Sequence, residues 1–115
     1  MQYLMMLYAD EVAGAKVPPE QMQKVMAAYG AVTEEMKEKK VYVGGNRLRP
    51  TSTATTVQVR DGKTLTTDGP FAETREQLGG YYLLDCKNLD EAIEYAAKIP
   101  GASHGTIEIR PVWCM

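Results

Sequence analysis

Two short runs of this chain are apolar almost throughout: Tyr3-Leu4-Met5-Met6-Leu7-Tyr8 and Gly80-Tyr81-Tyr82-Leu83-Leu84. Successive residues of a strand point to opposite faces, so a strand of this composition is covered on both sides. Two such strands within 115 residues need neighbours to left and right and a layer above and below. The remaining sequence must supply them.

Most of what is needed can be read in chain order. Asp10 to Lys16 is small and polar and reads as a loop. A helix is expected from about Pro19 to Lys40, since proline suits the first helical position, where its missing N–H costs nothing. Met22, Val25, Met26, Tyr29, Val32 or Thr33, and Met36 recur at helical spacing as one apolar stripe. Gln21, Gln23, Lys24, Glu34, Lys37 and Glu38 form the wet face. Gly30 weakens the middle by about 1 kcal/mol relative to alanine.

Val41 to Gly45 reads as a second strand, with a bulge or close approach at the glycine pair. A loop, Asn46 to Ala54, leads into a hairpin, Thr55 to Thr67, around Asp61-Gly62, the dipeptide suited to a type I′ turn. After the second apolar run, Asn88 can cap a helix, with Glu91 reaching back to it as in a capping box. Leu89, Ala92, Ile93, Ala96 and Ala97 are its expected buried stripe, and Pro100-Gly101 ends it. Thr106 to Arg110 alternates as a half-buried strand does.

With the hairpin set aside, the order is strand, helix, strand, strand, helix, strand. That is the α+β, ferredoxin-like βαββαβ arrangement, with the first and third core strands in the centre. The two apolar runs occupy those central positions. Both helices then lie on one face of the sheet, and the other face still needs cover. A symmetric partner subunit is the simplest cover, giving a homodimer with facing sheets; the inserted hairpin folding over that face is the alternative.

Composition narrows the function classes. The net charge of −2 and the interleaving of Lys37, Lys39 and Lys40 with Glu34, Glu35 and Glu38 argue against nucleic acid as a partner. No apolar run approaches the roughly 20 residues of a membrane span, so a single cytoplasmic domain over residues 1–115 is expected. Cys86 and Cys114 have neither metal-ligand nor redox spacing and read as reduced thiols. No metal or cofactor is expected. The glycine pairs Gly44-Gly45 and Gly79-Gly80 open no helix and so are not phosphate loops.

Candidate chemistry gathers around "TTDGPFAETREQLGGYYLLD", Thr66 to Asp85. Asp68 can be a pocket carboxylate serving as general base, or a turn residue bonding nearby amides. Glu73 and Thr74, with Arg75 and Glu76, can offer polar groups to a cleft or simply be solvated. Phe71 is expected to plug the turn. His104, the only histidine, can move protons near neutral pH, and Asp10 past the first strand can meet it at one end of the sheet. Tyr8 and Tyr82, like Tyr42 and Tyr81, can line a pocket or pack in the core. Arg47 and Arg49 can hold an anion or lie on the surface.

The stretch "TDGPFAETREQLGGYYLLD", together with "YGAVTEEM", "VGGNRLRP", "TATTVQVRDGK" and "GTIEIRPVW", resembles the DGPF branch of the YCII-related (YciI-like) family over nearly the whole chain. The resemblance implies a dimeric α/β barrel of ferredoxin-like subunits. YciI-like relatives are thought to carry a His–Asp pair with the histidine near the start of the first helix. Here that region, "VPPEQMQKVM", has none, so no dyad carries over. Two functions follow. One is binding of a small organic molecule between sheet and helices, with acid–base chemistry by Asp68. The other is a non-catalytic regulatory or interaction module, implied by family members that occur beside extracytoplasmic-function sigma factors.

Overall fold

The computed structural model describes residues 1–113; Cys114 lies outside the described residues. Six strands form: β1 (Gln2–Ala9), β2 (Tyr42–Arg47), β3 (Thr55–Arg60), β4 (Lys63–Asp68), β5 (Gln77–Asp85) and β6 (Thr106–Pro111). The helices are α1 (Glu11–Gly14), α2 (Pro19–Glu38) and α3 (Leu89–Lys98), with 3₁₀ turns at Thr51–Thr53 and Pro100–Ser103. Four strands make an antiparallel sheet in the order β2-β5-β1-β6. The two apolar runs are therefore the central strands β1 and β5, and the fold is ferredoxin-like α+β.

The core lies on the helical side of that sheet. Tyr3 and Met5 of β1 and Tyr82 and Leu84 of β5 meet Val32 and Met36 of α2 and Ala92, Tyr95 and Ala96 of α3. Alternation puts Leu4, Met6 and Leu83 on the opposite face, where they are only partly covered. No helix is packed there.

Several local expectations are corrected. Asp10 does not begin a featureless loop; its carboxylate caps α1 by accepting from the Val12 and Ala13 amides at 2.9 and 3.3 Å. Asn88 accepts from the Glu91 amide at 3.0 Å as expected, but Glu91 reaches past it to the Lys87 amide at 3.1 Å. The buried stripe of α3 is Ala92, Tyr95, Ala96 and then Ile99, while Leu89 and Ile93 are each 49% exposed. One register of the 3.6-residue repeat carries small residues plus Tyr95, and that register lets the helix sit close to the sheet.

The hairpin also forms, but among the described residues it does not fold over the four-stranded sheet. Asp61 and Gly62 both have positive φ, 52° and 73°, the requirement of a type I′ turn. β3 and β4 pair from Thr55↔Asp68 to Arg60↔Lys63 as a separate two-stranded sheet. Beyond isolated contacts they pack on no other strand or helix. The hairpin stands out as an arm. Among the described residues no helix is long and apolar enough to cross a membrane.

Candidate functional site

The expected stripe of α2 divides into two halves with different roles. Val32 and Met36 are buried in the core, whereas Met22, Val25, Met26 and Tyr29 face an open cleft of about 400 Å³ between helix and sheet. Glycines hold part of the opposite wall open. A Cβ on Gly45 would come within 2.8 Å of the Tyr81 carbonyl, and one on Gly80 within 2.9 Å of the Asn46 carbonyl. Close cross-strand approach therefore requires glycine at both positions. The floor is bare at Gly45, Gly79 and Gly80, between strand side chains such as Leu7, Tyr42 and Tyr82.

Polar groups enter this apolar space at a few points. The Thr33 hydroxyl donates to the Tyr29 carbonyl at 2.7 Å and lies 2.9 Å from the Tyr82 hydroxyl. Asn46 Nδ2 donates to the Tyr81 hydroxyl at 2.8 Å. Arg47 Nη1 rests 3.6 Å from the Met26 sulfur, a weak acceptor, and pairs with no carboxylate among the described residues. His104 lies at the edge, its Nδ1 3.3 Å from the Ser103 hydroxyl. Among the described residues no aspartate or glutamate lines the cleft, and the guanidinium is the one fixed charge in its lining.

Tyr29 is the most perturbed group here. Burial pushes its phenol above the usual value of 10.0, Tyr82 adds to the rise, and a hydrogen bond with the Gly101 backbone and the Arg47 charge pull it back. Burial therefore favours the neutral phenol, which can donate a hydrogen bond to a bound group.

The structure distributes the sequence-derived candidates over three places. Tyr8, Tyr82 and His104 line the cleft. Asp10, Arg75 and Glu76 surround a neighbouring surface depression that His104 also borders; the Asp10 carboxylate bonds the Val12 and Ala13 amides and His104 bonds Ser103. Glu76 there accepts from the Thr106 hydroxyl at 2.9 Å. Glu73 and Thr74 are exposed; the Thr74 hydroxyl donates to the Glu76 carbonyl at 2.5 Å and its carbonyl accepts from Gln77 at 2.6 Å. Those bonds shape a turn outside the cleft.

Asp68 is farther removed. It closes the β3–β4 ladder at the base of the arm, paired with Thr55, and is exposed there without lining its own chain's cleft. Phe71, instead of plugging the turn, is 88% exposed.

Tyr29, Thr33 and the stripe methionines were legible as one face of a helix, not as a site, whereas Arg47 was legible as one of two arginines able to hold an anion. The one signal in the sequence was the pairing of a bulky stripe with Gly44-Gly45 and Gly79-Gly80 on the strands it must face. Large residues opposite glycines leave space. Among the described residues no three His, Cys, Asp or Glu gather as metal ligands would.

Known proteins bear on this geometry in two ways. The chain is 40% identical over 114 residues to an uncharacterised protein of Rhizobium meliloti (strain 1021), covering 97% of this chain and 92% of that protein. Its fold resembles that of 5-chloro-2-hydroxyhydroquinone dehydrochlorinase (TftG) from Burkholderia phenoliruptrix AC1100, solved in complex with 2,5-dihydroxybenzoquinone. The TM-score is 0.52 at 14% identity, over 98% of this chain and 94% of that one. The model of the YCII-related domain matches residues 1–115, and the chain belongs to the YCII-related family.

Proposed function

We propose that this protein binds a small, mostly apolar organic anion in the cleft between α2 and the sheet. One observation carries the reading: a cleft of about 400 Å³ lined by Met22, Val25, Met26 and Tyr29, where among the described residues the Arg47 guanidinium is the one fixed charge and no carboxylate side chain enters the lining. Ligand sites are typically apolar hollows of this order of size with a few placed polar groups. A guanidinium held only by a thioether keeps its donors available for an oxyanion. Flat tyrosine rings and adaptable methionine thioethers suit a ring.

The shared fold with a dehydrochlorinase holding a hydroxylated quinone supports a ring with acidic hydroxyls as the ligand class. Proton transfer at such a ligand falls to two of the proton-bearing side chains that line the cleft, the His104 imidazole and the Tyr29 phenol, the latter as a donor. Asp68, on the arm, takes no part within a single chain.

The test is calorimetric titration of the purified protein with 2,5-dihydroxybenzoquinone and with hydroxybenzoates, against neutral analogues of the same size. The anions should bind and the neutral analogues bind more weakly. Arg47→Ala should weaken anion binding about 10- to 100-fold, the range for a lost charged hydrogen bond. Equal binding of neutral and anionic rings, or no loss on Arg47→Ala, would overturn the reading.

A further inference from the structure

A hydroxyl group carries one proton, so where that proton goes decides whether the group can still give a hydrogen bond or only receive one. The hydroxyls of the cleft differ in this respect. Thr33 gives its proton to the Tyr29 carbonyl at 2.7 Å. Its oxygen lies 2.9 Å from that of Tyr82, and with the threonine proton already placed, Tyr82 is the donor across this contact. The Tyr82 proton is thus spent inside the protein. Tyr82 nevertheless lines the cleft, and among the described residues its oxygen receives no hydrogen bond.

Two other phenols of the lining are set the opposite way. The Tyr81 oxygen accepts from Asn46 Nδ2 at 2.8 Å, which leaves the Tyr81 proton free. The Gly101 backbone bonds Tyr29 in a manner that lowers the phenol's pKa. A bond with that effect is one donated to the phenol oxygen, so the donor is the Gly101 amide and the Tyr29 proton is free as well. The Arg47 guanidinium has donors only. The cleft therefore presents donors at Tyr29, Arg47 and Tyr81 and an acceptor at Tyr82.

That one acceptor is selective because it is buried. Tyr82 is 9% exposed, and a ligand that fills the cleft displaces the water able to reach its oxygen. A ligand with an O–H to give replaces that water bond; one without leaves the oxygen unpaired or sets its own lone pairs against it.

We propose that the Tyr82 oxygen, held as an acceptor by Thr33, selects ring anions that keep one protonated hydroxyl. The oxyanion lies at Arg47 and the ligand O–H is donated to Tyr82. This inference rests on the anion-binding reading above and narrows it. The ligand class is the monoanion of a hydroxylated benzoate or hydroxyquinone. A fully ionised dianion, a ring ether and a ring without a hydroxyl all meet Tyr82 with no proton to offer. Thr33 acts through Tyr82, as a positioning residue.

Calorimetric titration with benzoates of equal charge tests this: meta- and para-hydroxybenzoate, the matching fluorobenzoates, and the matching methoxybenzoates. In the parent protein the hydroxybenzoate whose O–H reaches Tyr82 should bind about 10- to 100-fold more tightly than its fluorobenzoate, and the methoxybenzoate no better than the fluorobenzoate. Tyr82→Phe should bring the ratio of hydroxy to fluoro affinity close to one. Thr33→Val keeps the shape but removes the acceptor, so the Tyr82 proton can turn into the cleft. Methoxybenzoate should then gain about tenfold on fluorobenzoate, whereas a merely structural role for Thr33 would weaken all three probes alike. The series on the parent protein needs no variant, which keeps the proposal testable if either substitution prevents folding. Equal binding of hydroxy and fluoro probes overturns the proposal and leaves the anion reading standing. So does a hydroxyl preference that survives Tyr82→Phe, or a Thr33→Val protein with the parent's methoxy-to-fluoro ratio. Absence of binding by every benzoate overturns the anion reading and this proposal with it.

Discussion

The hydroxyls of Thr33 and Tyr82 lie 2.9 Å apart, joining α2 to the central strand β5 across the floor of the cleft. The direction of this bond follows from its neighbour. Thr33 has one hydroxyl proton and gives it to the Tyr29 carbonyl at 2.7 Å, so Tyr82 must be the donor to Thr33. Removing either partner therefore has unequal consequences. Tyr82→Phe leaves Thr33 still bonded and should cost about 1 kcal/mol, whereas Thr33→Val strands the hydroxyl of the buried Tyr82 and should cost about 1–3 kcal/mol. Urea unfolding of the two variants checks this. A larger loss for Tyr82→Phe would mean the donor assignment is reversed.

Two glycines at the His104 end of the sheet should separate function from folding. A Cβ on Gly101 would meet the Tyr29 hydroxyl at 2.8 Å, the movable end of a half-buried side chain. Gly101→Ala should cost less than about 1 kcal/mol, since the ring can swing away from the backbone group it bonds. It should nevertheless weaken ligand binding by displacing that phenol. A Cβ on Gly105 would collide with the Tyr8 carbonyl, and β1–β6 pairing fixes Tyr8 beside Thr106. Backbone cannot give way there, so Gly105→Ala should cost about 3 kcal/mol through overpacking. Paired measurements of unfolding and ligand affinity decide. Equal stability losses for the two variants would contradict the distinction.

The topology was legible because burial on both faces is a demanding pattern. "YLMMLY" and "GYYLL" had to be central strands, and Asp61-Gly62 had to be a turn, since few chain conformations satisfy either sequence. The cleft was not legible in the same way. Met22, Val25 and Tyr29 obey the same helical period as Val32 and Met36, and periodicity reports which face a residue is on, not whether anything fills the space before it. Asp68 is a related case. Local sequence fixes a turn-forming Asp-Gly-Pro, but its distance from the cleft is set by the hairpin ladder that ends on it, a pairing of residues thirteen apart in sequence, Thr55↔Asp68.

Gly30 gives a prediction of opposite sign. It sits within α2, and a Cβ added there would meet nothing within 4 Å. Glycine inside a helix costs about 1 kcal/mol relative to alanine because of its greater freedom in the unfolded chain. Gly30→Ala should therefore raise stability by about that amount and leave ligand affinity unchanged, since Gly30 does not line the cleft. A rise in stability accompanied by lost affinity would show that bending of α2 at this glycine is used in binding.

Alkaline conditions should destabilise the protein in two stages. Burial pushes the Cys86 thiol above its ordinary value of 9.0, helped by the nearby charges of Glu91 and Asp85. Burial likewise raises the phenols of Tyr29 and Tyr95 above 10.0. In each case the unfolded chain loses its proton first, while the folded chain keeps it. The folded state then binds more protons, so stability falls as pH rises, by up to about 1.4 kcal/mol per pH unit for each such group. The stabilisation is fully present below pH 9 and declines from there through the raised folded values, first with Cys86 and then with the tyrosines. Cys86→Ala should lower stability at pH 7 by loss of packing, yet flatten the onset of the decline as pH rises above about 9 and leave the tyrosine contribution in place. Urea unfolding at intervals from pH 7 to 10.5 reads both effects. A Cys86→Ala profile that runs parallel to the parent through that onset would show that the thiol does not carry it.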